Sequence, residues 1–198
     1  MGVEKRMADR CNTIRLYSFQ TDVVYQVLKR DGVCYSKEEY VRKKYKESAK
    51  VFINAYGWFV KEAQHIVPKP EGAEYPYWAF TDLYNVDQTG DGHVLTLDVP
   101  IGEAILFDMF DWTKIMQMHY IGENESEEAT FSEELKNMGM NEFQIMTSNF
   151  YPEQKARIQE SWKRLFGHQQ AIEAGDNSGV HSVQAGLWCI KGEWIVKE

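Results

Sequence analysis

The stretch with the most evident ion-binding chemistry is residues 87–98, DQTGDGHVLTLD, which has the spacing of a calcium-binding loop. Its candidate ligands would be Asp87, Thr89, Asp91 and Asp98. Such a loop also needs a helix on each side and a bidentate Glu at its last position. The preceding segment holds Pro76 and several aromatic residues, and the following one alternates apolar and polar residues as strands do. We therefore expect a Gly-rich turn leading into a strand at 93–99, and no metal site.

Acid–base and nucleophilic chemistry has only scattered candidates in this sequence. The five histidines form no HxH or HExxH motif, and GxSxG, P-loop and GxGxxG motifs do not occur. His119 or His168 is a candidate general base, although an isolated histidine is more often structural. Asp108 and Asp111 are close enough to act as paired carboxylates if the fold joins them, or to cap a short helix.

Aromatic residues are unusually frequent, at 14% with six Trp, and several of them are clustered. Tyr56 and Trp58 fall in a segment with a helical apolar stripe, and Trp78 follows a Pro-bearing loop. Two interpretations are open. The rings can fill the core, where large aromatic side chains contribute most of the packing. Alternatively, they line a cleft for a planar ligand such as a nucleotide base or a nicotinamide.

The elements that would position these residues form a mixed order, which predicts the α+β class. We expect one domain over residues 1–198, with a flexible N-terminus at 1–12. A small, mostly antiparallel sheet should have its N- and C-terminal strands in the centre and helices packed around it. Strands are predicted at 13–18, 93–99 and 102–108, a helix at 152–167, and a C-terminal hairpin closed at Lys191-Gly192.

The composition of the chain indicates which partners it can bind and in which compartment we expect it. The net charge of -8 and pI near 5.2 argue against binding nucleic acid through bulk charge. No run of 18 apolar residues or signal-peptide core occurs, and the cysteines, Cys11, Cys34 and Cys189, are odd in number, so we expect a reducing cytoplasm. The acidic segment 123–128 is expected to be a solvated loop; the alternative is a surface for a basic partner.

Six segments occur in an order that resembles a known family. They are RLYSFQT, AYGWFVKEAQ, YPYWAF, LDVPIGEAILFDMFDW, SWKRLF and VQAGLWCIK. Together they resemble the uncharacterised bacterial family known as domain of unknown function 3841, over nearly the whole chain. That resemblance implies no activity by itself.

A more distant likeness links the first and last strands to ADP-ribosyltransferase-like domains. Those domains begin with a strand bearing LYH or LYR and end with a strand near a catalytic Glu. Here Ser18 takes the place of the His, and Gln184 lies near the Glu position. The resemblance implies that Gln184 is the catalytic-position residue, contacting a ribose hydroxyl of NAD. The other ligand-binding residues that it implies are Tyr17, Gln20, Tyr56, Trp58 and Trp78.

The substitution of Gln for Glu keeps two hypotheses open. A Gln can hydrogen-bond but has no charge with which to stabilise an oxocarbenium-like transition state. The first hypothesis is therefore an NAD-binding, ADP-ribosyltransferase-like protein, and the alternative is a non-catalytic module that binds a ligand or a protein. A Gln184 amide satisfied by the backbone would argue against the first.

Overall fold

The computed structural model describes residues 12–39, 42 and 49–196, with only the backbone for 49–51. The strands are β1 Thr13–Gln20, β2 Val33–Tyr35, β3 Tyr77–Phe80, β4 His93–Pro100, β5 Ile105–Asp108, β6 Val183–Leu187 and β7 Cys189–Lys191. The α-helices are α1 Asp22–Asp31, α2 Ala49–Ala63, α3 Met109–Met116, α4 Glu125–Asn137, α5 Glu142–Thr147, α6 Pro152–Ser161 and α7 Gln169–Glu173. Short 3₁₀ segments cover Leu83–Asn85, Ile101–Glu103, Trp162–His168 and Gly192–Trp194.

Five strands form one antiparallel sheet in the order β4-β1-β3-β6-β5. The α+β class is confirmed, and so is the interior position of the first strand and of a strand near the C-terminus. The predicted strand at 93–99 is β4, which pairs with β1 along its whole length. Most of the predicted flexible N-terminus lies outside the described residues; the Asn12 carbonyl accepts a hydrogen bond from the Ile101 amide at 2.9 Å.

The two faces of the sheet are buried against different elements. On one side, which we call the aromatic face, Phe59 of α2 packs against Phe107 and Trp78 with ring centroids 5.6 and 5.1 Å apart. On the other side, the aliphatic face, β1, β3, β5 and β6 pack against α1 and α7 through Leu16, Ala79, Leu106, Ala185, Leu28 and Ile172. Because side chains alternate along a strand, β3 and β5 contribute to both cores.

Both edges of the sheet are covered. On β5, the Gln169 side chain accepts a hydrogen bond from the Leu106 amide at 2.5 Å and donates one to the Ala104 carbonyl at 3.1 Å. On β4, the Val196 amide donates to the Thr96 carbonyl at 2.9 Å. Side-chain and tail contacts thus satisfy backbone groups that an exposed edge would offer to another chain.

The predicted C-terminal hairpin is wrong. The chain leaves the main sheet at Trp188, whose buried indole donates to the Val67 carbonyl at 2.7 Å. The next residues form β7, which pairs with β2 in a separate ladder with Cys34 opposite Ile190. The anchoring of this large ring redirects the strand, and local turn propensity at Lys191-Gly192 does not decide its course.

The acidic segment at 123–128 is also not the loop that we expected, because most of it begins helix α4. Asn124 caps this helix by accepting a hydrogen bond from the Glu127 amide at 3.0 Å. Carboxylates in the first turn are favoured by the positive end of the helix dipole. The predicted helix at 152–167 also differs, since the α-helix ends at Ser161 and continues as a 3₁₀ segment to His168.

Candidate functional site

Four side chains form a row across the aromatic face. In register, Tyr17 lies opposite Phe80, Phe80 opposite Gln184, and Gln184 opposite Phe107. Directly opposed residues of antiparallel strands point to the same side of a sheet. Strand pairing therefore brings Tyr17 and Gln184, predicted from opposite ends of the sequence, onto one surface.

Gln184 is a buried amide without a hydrogen-bond partner in the described part of the chain. The residue is only 4% exposed. No described side-chain nitrogen or oxygen is both unpartnered and sealed from solvent, so the Gln184 amide is in contact with solvent. It is not satisfied by the backbone, and two donors and a carbonyl are available to a ligand there.

Trp78 and Tyr56 lie beside this row. Trp78 is opposite Gly186 on β6, two residues along from the pair of Phe80 and Gln184 and on the same side of the sheet. Its indole donates to the Tyr56 hydroxyl at 2.7 Å, and the two rings meet edge to face with centroids 5.4 Å apart. Trp78 is half-buried, whereas Tyr56 is 4% exposed. Of these two rings, that of Trp78 therefore retains more accessible area.

The other two predicted ligand-binding residues lie elsewhere. Trp58 is 7% exposed and packs edge to face against Trp162, at 5.4 Å, and stacks on Phe166. Gln20 points to the aliphatic face, where its amide donates to the Ser18 hydroxyl at 2.8 Å. The structure thus brings Tyr17, Trp78 and Gln184 to one face and does not bring Trp58 or Gln20 to it.

The aromatic face is open at its β1–β4 end. There the Arg15 guanidinium donates to both carboxylate oxygens of Asp98, at 2.5 and 3.1 Å, and its side chain is 50% exposed. The hydrogen bond to Asp98 raises the pKa of Arg15. Arg15 is two residues from Tyr17 and points to the same side, so a fixed positive charge flanks the row.

A second group of side chains, which the sequence did not reveal as a unit, lies at the end of β5 and β6. Asp108 is 3% exposed, and its carboxylate accepts from the His181 ring nitrogen Nδ1 at 2.8 Å and from the His181 amide at 3.0 Å. Phe110 contacts the His181 ring at a centroid distance of 4.8 Å. Because Asp108 and His181 are far apart in sequence, no local motif marks the pair.

Asp108 and Asp111 have opposite electrostatic environments. Burial raises the pKa of Asp108, but hydrogen bonds from His181, Phe110 and Ser182 outweigh it, so the net direction is downward. Burial raises the pKa of Asp111, and Lys114, 3.8 Å away, only partly opposes that effect. The two carboxylates are therefore not equivalent. Asp108 is the one held in its charged form.

Residues 87–98, which have the spacing of a calcium-binding loop, make other contacts in this structure. The Asp87 carboxylate accepts hydrogen bonds from the Thr89 amide and hydroxyl at 3.0 and 2.6 Å, and Asp98 pairs with Arg15 within the sheet. A 3₁₀ turn and a strand flank the segment where an EF-hand requires helices. In the described ranges, no three His, Cys, Asp or Glu residues form a group that could hold a metal ion.

Two surface hollows lie away from the row. One, of about 370 Å³, is lined by Tyr120, Arg157, Glu160, Ser161 and Arg164. The other, of about 360 Å³, includes Trp58, Lys61, Met146 and Lys155 in its lining. None of the described helices is long and apolar enough to cross a membrane.

Comparison with known proteins gives one match. A family model described as Domain of unknown function (DUF3841) matches residues 15–196. No curated protein and no solved structure matches the chain. The matched range contains the whole sheet apart from the first residues of β1, together with both groups of side chains described above. The chain therefore belongs to the domain of unknown function 3841 family.

Proposed function

We propose that this protein binds a nicotinamide nucleotide such as NAD on the aromatic face, and that it does so with little or no transferase activity. The observation that carries the proposal is the Gln184 amide, which is buried, unpartnered and placed in one row with Tyr17. The amide atoms are not sealed from solvent, so water satisfies them in the free protein, and a ligand that displaced this water without replacing its hydrogen bonds would lose free energy. A ligand with several hydroxyl groups would supply those hydrogen bonds.

The neighbouring side chains match the remaining chemistry of a dinucleotide. The half-buried Trp78 ring and Tyr17 offer flat apolar surfaces to a base or a nicotinamide. Arg15 at the open end of the row can pair with a phosphate oxygen in place of Asp98. Binding would use hydrogen bonds at one end, ring contacts in the middle and charge at the other end.

The neutral side chain of Gln184 favours binding over cleavage. Breaking the bond between nicotinamide and ribose develops positive charge on the sugar, and a carboxylate stabilises that charge through space. An amide contributes only a dipole. We therefore favour a non-catalytic ligand-binding module over an active transferase. We place it in a reducing bacterial cytoplasm, in keeping with the free Cys34 and Cys189 thiols.

The direct test is a titration with NAD followed by intrinsic Trp fluorescence, comparing wild-type protein with Gln184→Leu and Gln20→Leu. Wild-type fluorescence should quench saturably. Gln184→Leu should weaken binding about tenfold, the equivalent of one lost hydrogen bond of ~1.4 kcal/mol. Gln20→Leu removes the same amide on the other face and should change the affinity less than about twofold.

Thermal unfolding of the same variants separates a ligand role from a structural one. Gln184→Leu removes an unpaired polar group and should leave stability unchanged or raise it. Absence of saturable quenching up to millimolar NAD would refute the nucleotide proposal. Nicotinamide release by the wild-type protein, lost in Gln184→Leu, would instead show that the protein is an active transferase.

A further inference from the structure

The Asp108 and His181 pair is held by more contacts than a surface ion pair has. One carboxylate oxygen of Asp108 accepts from the His181 amide and from Nδ1 of the same residue, at 3.0 and 2.8 Å. The other oxygen accepts from the Phe110 amide at 3.0 Å and the Ser182 amide at 3.4 Å. With this carboxylate fixed by backbone donors, the imidazole is held in one orientation.

This arrangement leaves one nitrogen of the imidazole free for chemistry. An ionised carboxylate can only accept hydrogen bonds, so Nδ1 must carry the proton that it donates to Asp108. Nε2 of the neutral ring then keeps its lone pair. The His181 side chain is 73% exposed, so a water molecule or a ligand can approach Nε2. General base catalysis by histidine uses this geometry, in which a buried Asp orients the imidazole.

The surroundings of His181 provide a surface for a ligand with an aromatic group. The Phe110 ring, 4.8 Å from the imidazole, is 50% exposed, although large apolar side chains are usually buried. The 3₁₀ turn Leu83–Asn85 is joined to Ser182, the residue after His181, by a hydrogen bond from the Asn85 amide group to the Ser182 hydroxyl at 2.6 Å. This turn carries Tyr84, which is 92% exposed. The exposed Phe110 ring therefore flanks the imidazole.

Asp111 and Lys114 lie near enough to Asp108 to interact with its charge. Asp111 and Lys114 of α3 lie 3.8 Å apart, and Lys114 also pairs with Glu128 at 2.6 Å. His168, in the 3₁₀ segment before α7, is close enough to lower the pKa of Asp111.

We propose that His181, positioned by Asp108, is the general base of a hydrolytic site for esters whose aromatic part rests on Phe110. Nε2 takes a proton from water while the water oxygen bonds to the acyl carbon. The bond from that carbon to the alcohol oxygen then breaks, and Nε2 returns the proton to the departing oxygen. Water and ester give an acid and an alcohol, with no other reactant. This site is independent of the proposed nucleotide face.

The chain itself supplies a matched control. His93 also contacts a carboxylate, with Nε2 2.6 Å from Asp22, and it also lies beside an aromatic ring, that of Tyr25 at 4.2 Å. The Asp22 side chain, however, is 69% exposed, whereas that of Asp108 is 5% exposed. His93 therefore has the same residue types without the fixed geometry. A reaction that only needs a surface imidazole would use either histidine.

The test is hydrolysis of p-nitrophenyl acetate by the full-length protein and three variants. We expect kcat/KM to fall at least tenfold in His181→Gln and to stay within twofold of wild type in His93→Gln. Phe110→Ala should raise KM and leave kcat nearly unchanged, since the ring binds and does not react. A His181→Gln rate equal to wild type, or an equal loss in His93→Gln, would overturn the proposal.

Asp108 acts through His181 and is a positioning residue, so its role needs a readout other than the rate. Long-range ¹H–¹⁵N NMR of the wild-type protein should show neutral His181 with its proton on Nδ1. In Asp108→Asn this preference should be lost, together with activity. A wild-type His181 protonated on Nε2 would contradict the geometry, whatever the stability of the Asn variant.

Discussion

Replacing Asp108 with Asn is the sharpest test of how the end of the sheet is held together. The carboxylate accepts four hydrogen bonds, two on each oxygen, from three backbone amides and the His181 ring. Asn has the same size but only one acceptor oxygen. In one orientation of the Asn side chain, its NH₂ group faces the two His181 donors. In the other orientation, the NH₂ group faces the Phe110 amide at the start of α3.

The expected cost follows from those contacts. A hydrogen bond to a charged group contributes about 1.5–3 kcal/mol, and loss of a helix N-cap costs about 1 kcal/mol. Water can reach the exposed His181 ring and compensates for part of the loss. We therefore expect Asp108→Asn to lower the free energy of unfolding by about 2 kcal/mol. His181→Gln keeps the backbone bonds and should cost less than about 1 kcal/mol.

The pH dependence supplies an independent check with a definite sign. The pKa of Asp108 is lower in the folded protein than its ordinary value. A carboxyl with a depressed folded pKa stabilises the fold above its unfolded pKa of about 4, and this stability is lost as the pH falls through the folded value. The difference between wild type and Asp108→Asn should be constant at pH 6–7 and shrink below about pH 4.

Urea unfolding followed by Trp fluorescence measures both quantities. Wild type, Asp108→Asn and His181→Gln would be compared at pH 7 and again near pH 3.5. A difference under about 0.5 kcal/mol at pH 7 would mean that the four hydrogen bonds do not hold Asp108 as described. A difference that is the same at both pH values would show that the charge is irrelevant.

Three further outcomes are expected. Gly186→Ala should cost about 1–3 kcal/mol in urea unfolding, because a Cβ there would lie 2.9 Å from a core phenylalanine ring; a neutral effect would mean that the ring can move aside. Gln169→Ala should cost about 1–3 kcal/mol and speed hydrogen exchange at the Leu106 amide, which loses its acceptor; unchanged exchange would show that water replaces it. Burial raises the pKa of Cys189 to about 11, so its thiol should resist alkylation by iodoacetamide at pH 8 in a Cys11→Ser protein. Rapid labelling of Cys189 in the folded protein would contradict this expectation.

Local pattern was enough to predict much of the framework. The alternation in 93–99 predicts β4, because a strand buried on one face has an apolar side chain at every second residue. The apolar run ILF before Asp108 predicts β5, because a strand buried on both faces is apolar throughout. The mixed order of strands and helices gave the α+β class. The six ordered segments pointed to the family that the match over residues 15–196 establishes.

Tertiary structure decided what pattern could not. Whether Trp58 lines a cleft or fills the core depends on Trp162, a ring far along the chain. The turn at Lys191-Gly192 suggested a hairpin, but burial of Trp188 sends the strand to a different partner. In each case a non-local contact that buries a large ring decides what the local pattern leaves open or assigns differently.

The candidate sites divide in the same way. The resemblance to ADP-ribosyltransferase-like domains singled out Tyr17, Trp78 and Gln184, and the sequence left Asp108 either as a helix cap or as one of two paired carboxylates. Only strand pairing placed Gln184 between Phe80 and Phe107, and only the meeting of β5 with the start of β6 brought His181 to Asp108. Residue types and periodicity are encoded within a few positions, whereas the order and register of strands are set by packing across the whole chain.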